Sequence, residues 1–314
     1  MLGTACEIGL PDAIKPYQAV AIESVAGILG VNSDALWRMS RTLASFGVFA
    51  VDGQRRIAHN DLSLLLRQTG VPSQHWAARF WSEPAAWSAW MELPHVLRSG
   101  KEGFVKAHGK HFFDYMNDCD DAASTYRQYM ASGYPGRHEI VAASLRLSPG
   151  NVVIDVGGNT GALMRAIASH HVGIRGVVYD QSETIRLAET ACNQDNLEFV
   201  PGNFFEKVPD GGDVYVLSYI LHDWPDEQAL QILRSCRAAM KPGARLVIVE
   251  RVLHDDPTRC DPYDLLLDMN MLVLHQGHER TAEQFDALMT QSGFTPIRVR
   301  KRHSAFCVAE ASVL

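Results

Sequence analysis

The stretch Leu221-His222-Asp223-Trp224 places an imidazole just after an apolar β-forming run, Val214-Tyr215-Val216-Leu217. Histidine's ordinary pKa lies nearest neutrality, so one at a strand end is a candidate proton acceptor. Ligands of open α/β sheets sit outside the carboxyl ends of the strands, which is where His222 would stand. Two carboxylates fall at the ends of later elements: Glu250, closing the run Arg245–Glu250, and Glu279 in Gly277-His278-Glu279-Arg280-Thr281. A lone histidine is more often structural. One with acids available at the same sheet edge is a better catalytic candidate.

The second constellation is Asn151-Val-Val-Ile-Asp155-Val-Gly157-Gly158-Asn159-Thr-Gly161, a buried strand entering a helix through glycines. Gly157 and Gly158 let the backbone approach a ligand closely. The dinucleotide pattern G-x-G-x-x-G fits only at Gly157, because Asn159 and Ala162 occupy the other two places. The pattern acid-x-Gly-x-Gly-x-Gly fits from Asp155, with Asn159 as the middle residue; asparagine tolerates left-handed backbone best after glycine. This resembles the first motif of class I S-adenosylmethionine-dependent methyltransferases, whose loop meets a zwitterionic amino-acid moiety rather than a diphosphate. A plain strand-to-helix turn is the bland alternative. Asp180 ends the next strand, about 20 residues on, where a carboxylate can take both ribose hydroxyls. Asn203 and Phe204 follow the third strand, where such folds read and stack adenine. Ser218, ending the fourth, is placed to line the same site.

Composition bounds the remaining choices. The 314 residues are 46% hydrophobic and 21% charged, as in an ordinary globular protein with room for two domains. No apolar run reaches the roughly 18 residues that span a bilayer, and the start lacks a signal-peptide pattern. A net charge of −7 opposes non-specific binding to nucleic acid or anionic membrane. The six cysteines, Cys192 among them, are scattered without a C-x-x-C pair, which suits a reducing cytoplasm. His108/His111 and His275/His278 have helical spacing for a metal pair but lack further ligands nearby, so no metal site is expected.

These groups need elements to hold them. Residues 1–70 read as short helices, one ended by Gly30 and the next capped by Asn32-Ser33-Asp34, then a ribbon around the turn Asp52-Gly53. Helix, helix and ribbon make a winged helix. Without a Lys/Arg stripe, protein–protein contact is the better use of it than DNA. Residues 71–148 are helical and rich in aromatics, including Phe113 and Tyr134, mostly packing residues with some available as a wall for a flat ligand. From 149 to 314 strands and helices alternate, predicting an α/β, doubly wound, Rossmann-like sheet. A terminal hairpin at Pro296–Arg300 and Ala305–Ala309 adds an antiparallel strand, a feature of methyltransferase sheets.

Over nearly its whole length the chain resembles small-molecule O-methyltransferases of the plant caffeic-acid and bacterial natural-product type. The resemblance rests on Asp155–Gly161, Leu221–Trp224, Val249–Leu253, Asp268–Leu272 and Glu279-Arg280-Thr281, with the amino-terminal winged helix. It implies His222 as general base, Glu250 and Glu279 orienting its imidazole, Asp180 on the ribose, Trp224 on the cofactor side, and Asn270 and Met130 toward the acceptor. It further implies S-adenosyl-L-methionine as cofactor, an aromatic acceptor hydroxyl, a homodimer and no metal. Two departures stand out: Asn203 replaces a usual aspartate, and Tyr219 stands where a basic residue is common. The alternatives are methyl transfer to nitrogen, a relative that uses the cofactor for hydroxylation or a pericyclic step, and a ligand-sensing regulator.

Overall fold

The structure, a computed structural model, describes residues 1–70, 72–132, 136–190, 196–303 and 305–314. Tyr134 and Cys192, named above, lie outside the described residues. The chain forms two compact units, one from residues 1–91 and the stretch beginning at Ala107, the other from Glu92–Lys106 and Gly136–Leu314.

In the first unit, strand β1 (Val20–Ala21) leads into helix Ile22–Leu29, and helix Ser33–Ser45 follows. Asn32 caps that second helix, its side chain accepting from the Ala35 N–H at 2.9 Å. Strands β2 (Ala50–Val51) and β3 (Arg56–Ala58) form the expected ribbon, and β1 adds a third antiparallel strand against β3. Ile22, Val25, Leu36, Leu43, Phe49 and Ile57 close a common core beneath them. Farther on, helices Phe112–Asp118 and Asp120–Ser132 bring Phe112, Phe113 and Tyr126 together edge to face.

In the second unit the parallel strands are β4 (Val152–Val156), β5 (Arg175–Asp180), β6 (Leu197–Pro201), β7 (Val214–Ser218) and β8 (Arg245–Glu250). Next come two short strands, β9 (Val252–Leu253) and β10 (Arg280–Thr281), which pair in parallel with each other. The hairpin of β11 (Arg298–Arg302) and β12 (Cys307–Ser312) completes a seven-stranded sheet among the described residues, in the order β11-β12-β8-β7-β4-β5-β6. β12 runs antiparallel to β8; the other crossovers are parallel. The central strands are buried on both faces, so they read as continuous apolar runs rather than alternating ones. One layer of the core packs helices Asp226–Ala239 and Ala282–Gln291 on the sheet, and the other packs Arg137–Ser144 and Ala162–His170. The strand order reverses between β4 and β7, and the loops that carry the candidate residues leave the sheet at this switch point. Among the described residues no helix is long and apolar enough to cross a membrane.

Candidate active site

The glycine loop is held by the strand beside it. The Tyr179 carbonyl accepts the Gly157 and Gly158 N–H groups at 2.8 and 3.2 Å. Gly157 (φ 75°) and Asn159 (φ 50°) both take left-handed conformations, the latter being the position where the sequence has asparagine for glycine. A Cβ on Gly157 would lie 2.3 Å from Ile220 Cδ1, a side-chain end that could turn away, so the left-handed backbone is what favours glycine there. A Cβ on Gly158 would lie 2.9 Å from the Asp155 carboxylate. Asp180 Oδ2 accepts the Asn159 N–H at 2.8 Å, tying the end of β5 to the loop. Burial raises the Asp180 carboxyl's pKa, with these backbone donors opposing. Asp155 is fully enclosed, and among the described residues its Oδ2 has no hydrogen-bond partner. Burial, then the charge of Asp180, lifts its carboxyl to about 7 against the pull of Arg137.

Asn203 is exposed, and its amide closes its own turn, accepting from Phe205 N–H and donating to Glu206. Phe204 and Phe205 meet the Trp224 indole edge to face, at ring distances of 6.1 and 4.7 Å. Ser218 closes β7. Tyr219 follows with φ 55°, and the Arg137 guanidinium lies 4.7 Å over its ring. A cation therefore does stand at this strand end, supplied by a helix whose sequence gave no sign of it.

After Tyr219 the chain makes one tight helical turn, Leu221–Asp223, which carries His222. Glu250 Oε1 caps this turn by accepting the Ile220 and Leu221 N–H groups at 3.0 and 2.8 Å. Its other oxygen has no hydrogen-bond partner among the described residues and lies 3.9 Å from His222 Nδ1. Glu279 Oε1 lies 2.9 Å from the same nitrogen. A carboxylate only accepts, so Nδ1 carries a proton, and in the neutral ring Nε2 is the basic nitrogen. Asp223 Oδ1 stands 3.5 Å from Nε2, and His275 Nε2 lies 3.9 Å from the same carboxylate oxygen.

His222 is 7% exposed, Glu250 1% and Glu279 3%. Burial alone disfavours the imidazolium, but Glu279, Glu250 and Asp223 together outweigh it and raise His222 to about 10. Burial in turn lifts Glu250 to about 7 and Asp223 to about 6, with His222 opposing in both. It depresses His275 to about 3, helped by the neighbouring His222.

Three residues that the sequence reading left without a role hold this group in place. The Asp268 carboxylate accepts the Glu279 N–H at 2.8 Å. Arg280, fully buried, donates to the Leu221 and Trp224 carbonyls and to Asp226. Gly277 runs so close beneath the turn that a Cβ there would sit 1.9 Å from the His222 carbonyl oxygen. An arginine directly after a candidate acid was the one available signal.

Asn270 is buried on helix Pro262–His275, the helix that also carries His275. Phe113 and Met130 are half-buried on helices of the first unit. Ligand atoms of His222, Glu250 and Glu279 all lie within 4.8 Å of one another, a span that suits an ion. An ion bound through Nδ1 would have to displace the hydrogen bond to Glu279. Neither His108/His111 nor His275/His278 joins such a group among the described residues.

The sequence profile of the O-methyltransferase domain matches residues 90–295. The chain is 35% identical over 318 residues to the phenazine O-methyltransferase PhzM of Lysobacter antibioticus, covering 99% of this chain and 91% of that one. It is 36% identical over 299 residues to the 3-amino-4-hydroxybenzoate 4-O-methyltransferase of Streptomyces cremeus, covering 92% and 80%. The solved structure of the mitomycin 7-O-methyltransferase MmcR matches with a TM-score of 0.91 at 30% identity, over 100% of this chain and 93% of that one. With sequence and fold in agreement, this chain belongs to the O-methyltransferase domain family.

Proposed function

We propose that the protein transfers a methyl group from S-adenosyl-L-methionine to a hydroxyl of an aromatic small molecule in secondary metabolism, with His222 as general base and no metal. The observation that carries this is the buried His222 imidazole, Nδ1 bonded to Glu279 and facing Glu250, with Nε2 left to accept a proton. Two of the relatives named above are, by name, O-methyltransferases of a phenazine and of 3-amino-4-hydroxybenzoate, which supports an aromatic acceptor.

The loop residues suit the cofactor. The enclosed Asp155 Oδ2, without a hydrogen-bond partner among the described residues, offers an acceptor for an α-ammonium, and Gly157 and Gly158 keep the loop backbone bare of side chains. Asp180 would take the ribose hydroxyls. Phe204 and Trp224 would flank the adenine, with Asn203 and Ser218 at the rim. Bound there, the cofactor supplies an electrophilic methyl group on a sulfonium, transferred in one in-line displacement.

The chain's own task is to orient the acceptor oxygen and take its proton. A phenol of pKa about 10 facing an ordinary histidine of about 6.5 gives its proton up uphill. The carboxylates around His222 raise its basicity, which makes the transfer less uphill. Glu279 and Glu250 hold the ring and stabilise the imidazolium that forms. Asn270, buried on helix Pro262–His275, would touch the acceptor. Residues 149–314 would form the cofactor-binding domain, 71–148 the pocket region and 1–70 a homodimerisation region in a cytoplasmic enzyme.

The test is incubation of wild type and His222→Ala with labelled S-adenosylmethionine and a panel of phenols, with product mass. The variant should fold, bind cofactor and lose roughly 10²–10⁴ in turnover. Near-normal turnover would mean that orientation alone carries the reaction. A protein that methylates no phenol would point to the nitrogen-directed or non-methylating alternatives.

A further inference from the structure

Arg280 is the largest of the fully buried side chains, and the hydrogen bonds of its guanidinium reach across the turn that carries His222. Nη1 donates to the Leu221 carbonyl at 2.7 Å, and Nη2 to the Trp224 carbonyl at 2.8 Å. Nε and Nη2 both reach Asp226 Oδ1, at 3.0 and 2.8 Å. The two carbonyls lie on either side of His222 and Asp223. The backbone of Arg280 is fixed as well: it pairs with Val252 in the β9/β10 ladder, two residues after Glu250, while the residue before it is Glu279. One residue thus joins the three segments that bring His222, Glu250 and Glu279 together. A planar fork with several fixed donors can hold two carbonyls and a carboxylate at once, which a lysine ammonium on a flexible stem cannot.

We infer that Arg280 is a positioning residue for the proton transfer, its guanidinium setting the His222 turn at hydrogen-bond distance from Glu279. The inference rests on the reading of His222 as the base. Arg280 acts through the turn and touches no reacting atom. The groups facing His222 are Asp223 on its own turn, Glu250 on β8, Glu279 beside β10, the Tyr219 ring and, past Asp223, His275 on its helix. Loosening the fork should weaken the closest of these contacts, that to Glu279, and with it the hold on the imidazolium.

The experiment follows the His222 titration by NMR in histidine-labelled wild type, Arg280→Lys and Arg280→Gln, with His222→Ala for assignment. Circular dichroism and calorimetry with S-adenosylhomocysteine check folding. Arg280→Lys keeps the charge and loses the fork, so the His222 acid dissociation constant should rise at least tenfold, the midpoint falling by one pH unit or more. A role through charge alone predicts the opposite pattern: no change in Arg280→Lys and a higher midpoint in Arg280→Gln. That pattern would overturn the inference. If Arg280→Lys does not fold, Asp226→Asn decides, since it loosens the same fork from a solvent-exposed side chain. There the constant should rise at least threefold, and an unchanged midpoint would refute the positioning role. Because the titration needs no acceptor, it stays readable even if no phenol is methylated and the proposed function fails.

Discussion

Replacing Gly277 with alanine tests how tightly the active-site turn is clamped from below. The Gly277 backbone is not left-handed, so alanine meets no conformational penalty and the effect is purely steric. Its Cβ would stand 1.9 Å from the His222 carbonyl oxygen and 2.5 Å from the Asp223 carbonyl carbon. Both neighbours are backbone, so no side-chain rotation relieves the clash. Reaching ordinary contact requires the Gly277 strand and the His222 turn to part by roughly 1 Å or more. Such a shift stretches the 2.9 Å contact between His222 and Glu279 past hydrogen-bond range. Overpacking of this kind costs about 1–3 kcal/mol of stability. A misplacement of about 1 Å at the chemistry costs on the order of 10²-fold in turnover. The assay measures kcat with the best phenol from the wild-type panel, S-adenosylmethionine affinity by calorimetry, and thermal unfolding. The expected variant is folded, melts lower, binds cofactor and turns over about a hundredfold more slowly. A variant with wild-type kcat and melting temperature would refute the claim that this segment and the turn move as one body.

Four other outcomes are expected. His222 must be neutral to accept a proton and is raised to about 10, so wild-type kcat/KM should climb with pH from neutral into the alkaline range. Glu279→Gln, lacking the strongest of the charges that raise it, should shift that limb to lower pH with a smaller rate loss than His222→Ala; a flat wild-type profile would contradict this. Asp180→Ala should weaken S-adenosylmethionine binding by about 1.5–3 kcal/mol, and unchanged calorimetric affinity would remove the ribose assignment. Asp155 titrates near 7, and a cationic ligand beside it favours the carboxylate, so binding at pH 7 should release about half a proton. Calorimetry in buffers of different ionisation heat measures that release; Asp155→Asn should abolish it, and buffer-independent heats in the wild type would argue against the contact. A chelator should leave turnover intact, whereas loss restored by a divalent ion would revive a metal role for the His222 cluster.

The long periodic elements were legible, because each central strand is a continuous apolar run bounded by glycine or an acid. The capping of Ser33–Ser45 by Asn32 and the left-handed Asn159 also follow from residue type. The two-residue strands β1, β9 and β10 were not legible, since two residues carry no period. Yet β9 and β10 set Glu279 beside Glu250. His222, Glu250 and Glu279 were named from their places at element ends and from the family resemblance, and they meet in space. Arg280, Gly277 and Asp268 stand in quoted motifs without a role, and Arg137 in none, because their roles exist only across long sequence separations. An arginine reads as surface charge until Asp226 and the Leu221 and Trp224 carbonyls are seen around it. The basicity of His222 was invisible for the same reason: it belongs to three carboxylates from different elements.

The strand that ends in Glu250 has β7 on one side and β12 on the other, with Cys307 directly opposite Glu250. On a ribosome, β8 emerges more than fifty residues before the strand that closes its second side. Until then the catalytic strand is a bare sheet edge, open to pairing with another nascent chain. Pairing β8 with β12 also brings together distant parts of the chain, which slows folding. The chain would therefore close the strand that carries Glu250 late in maturation, and a fragment stopping before residue 307 would expose a sticky, apolar β-edge.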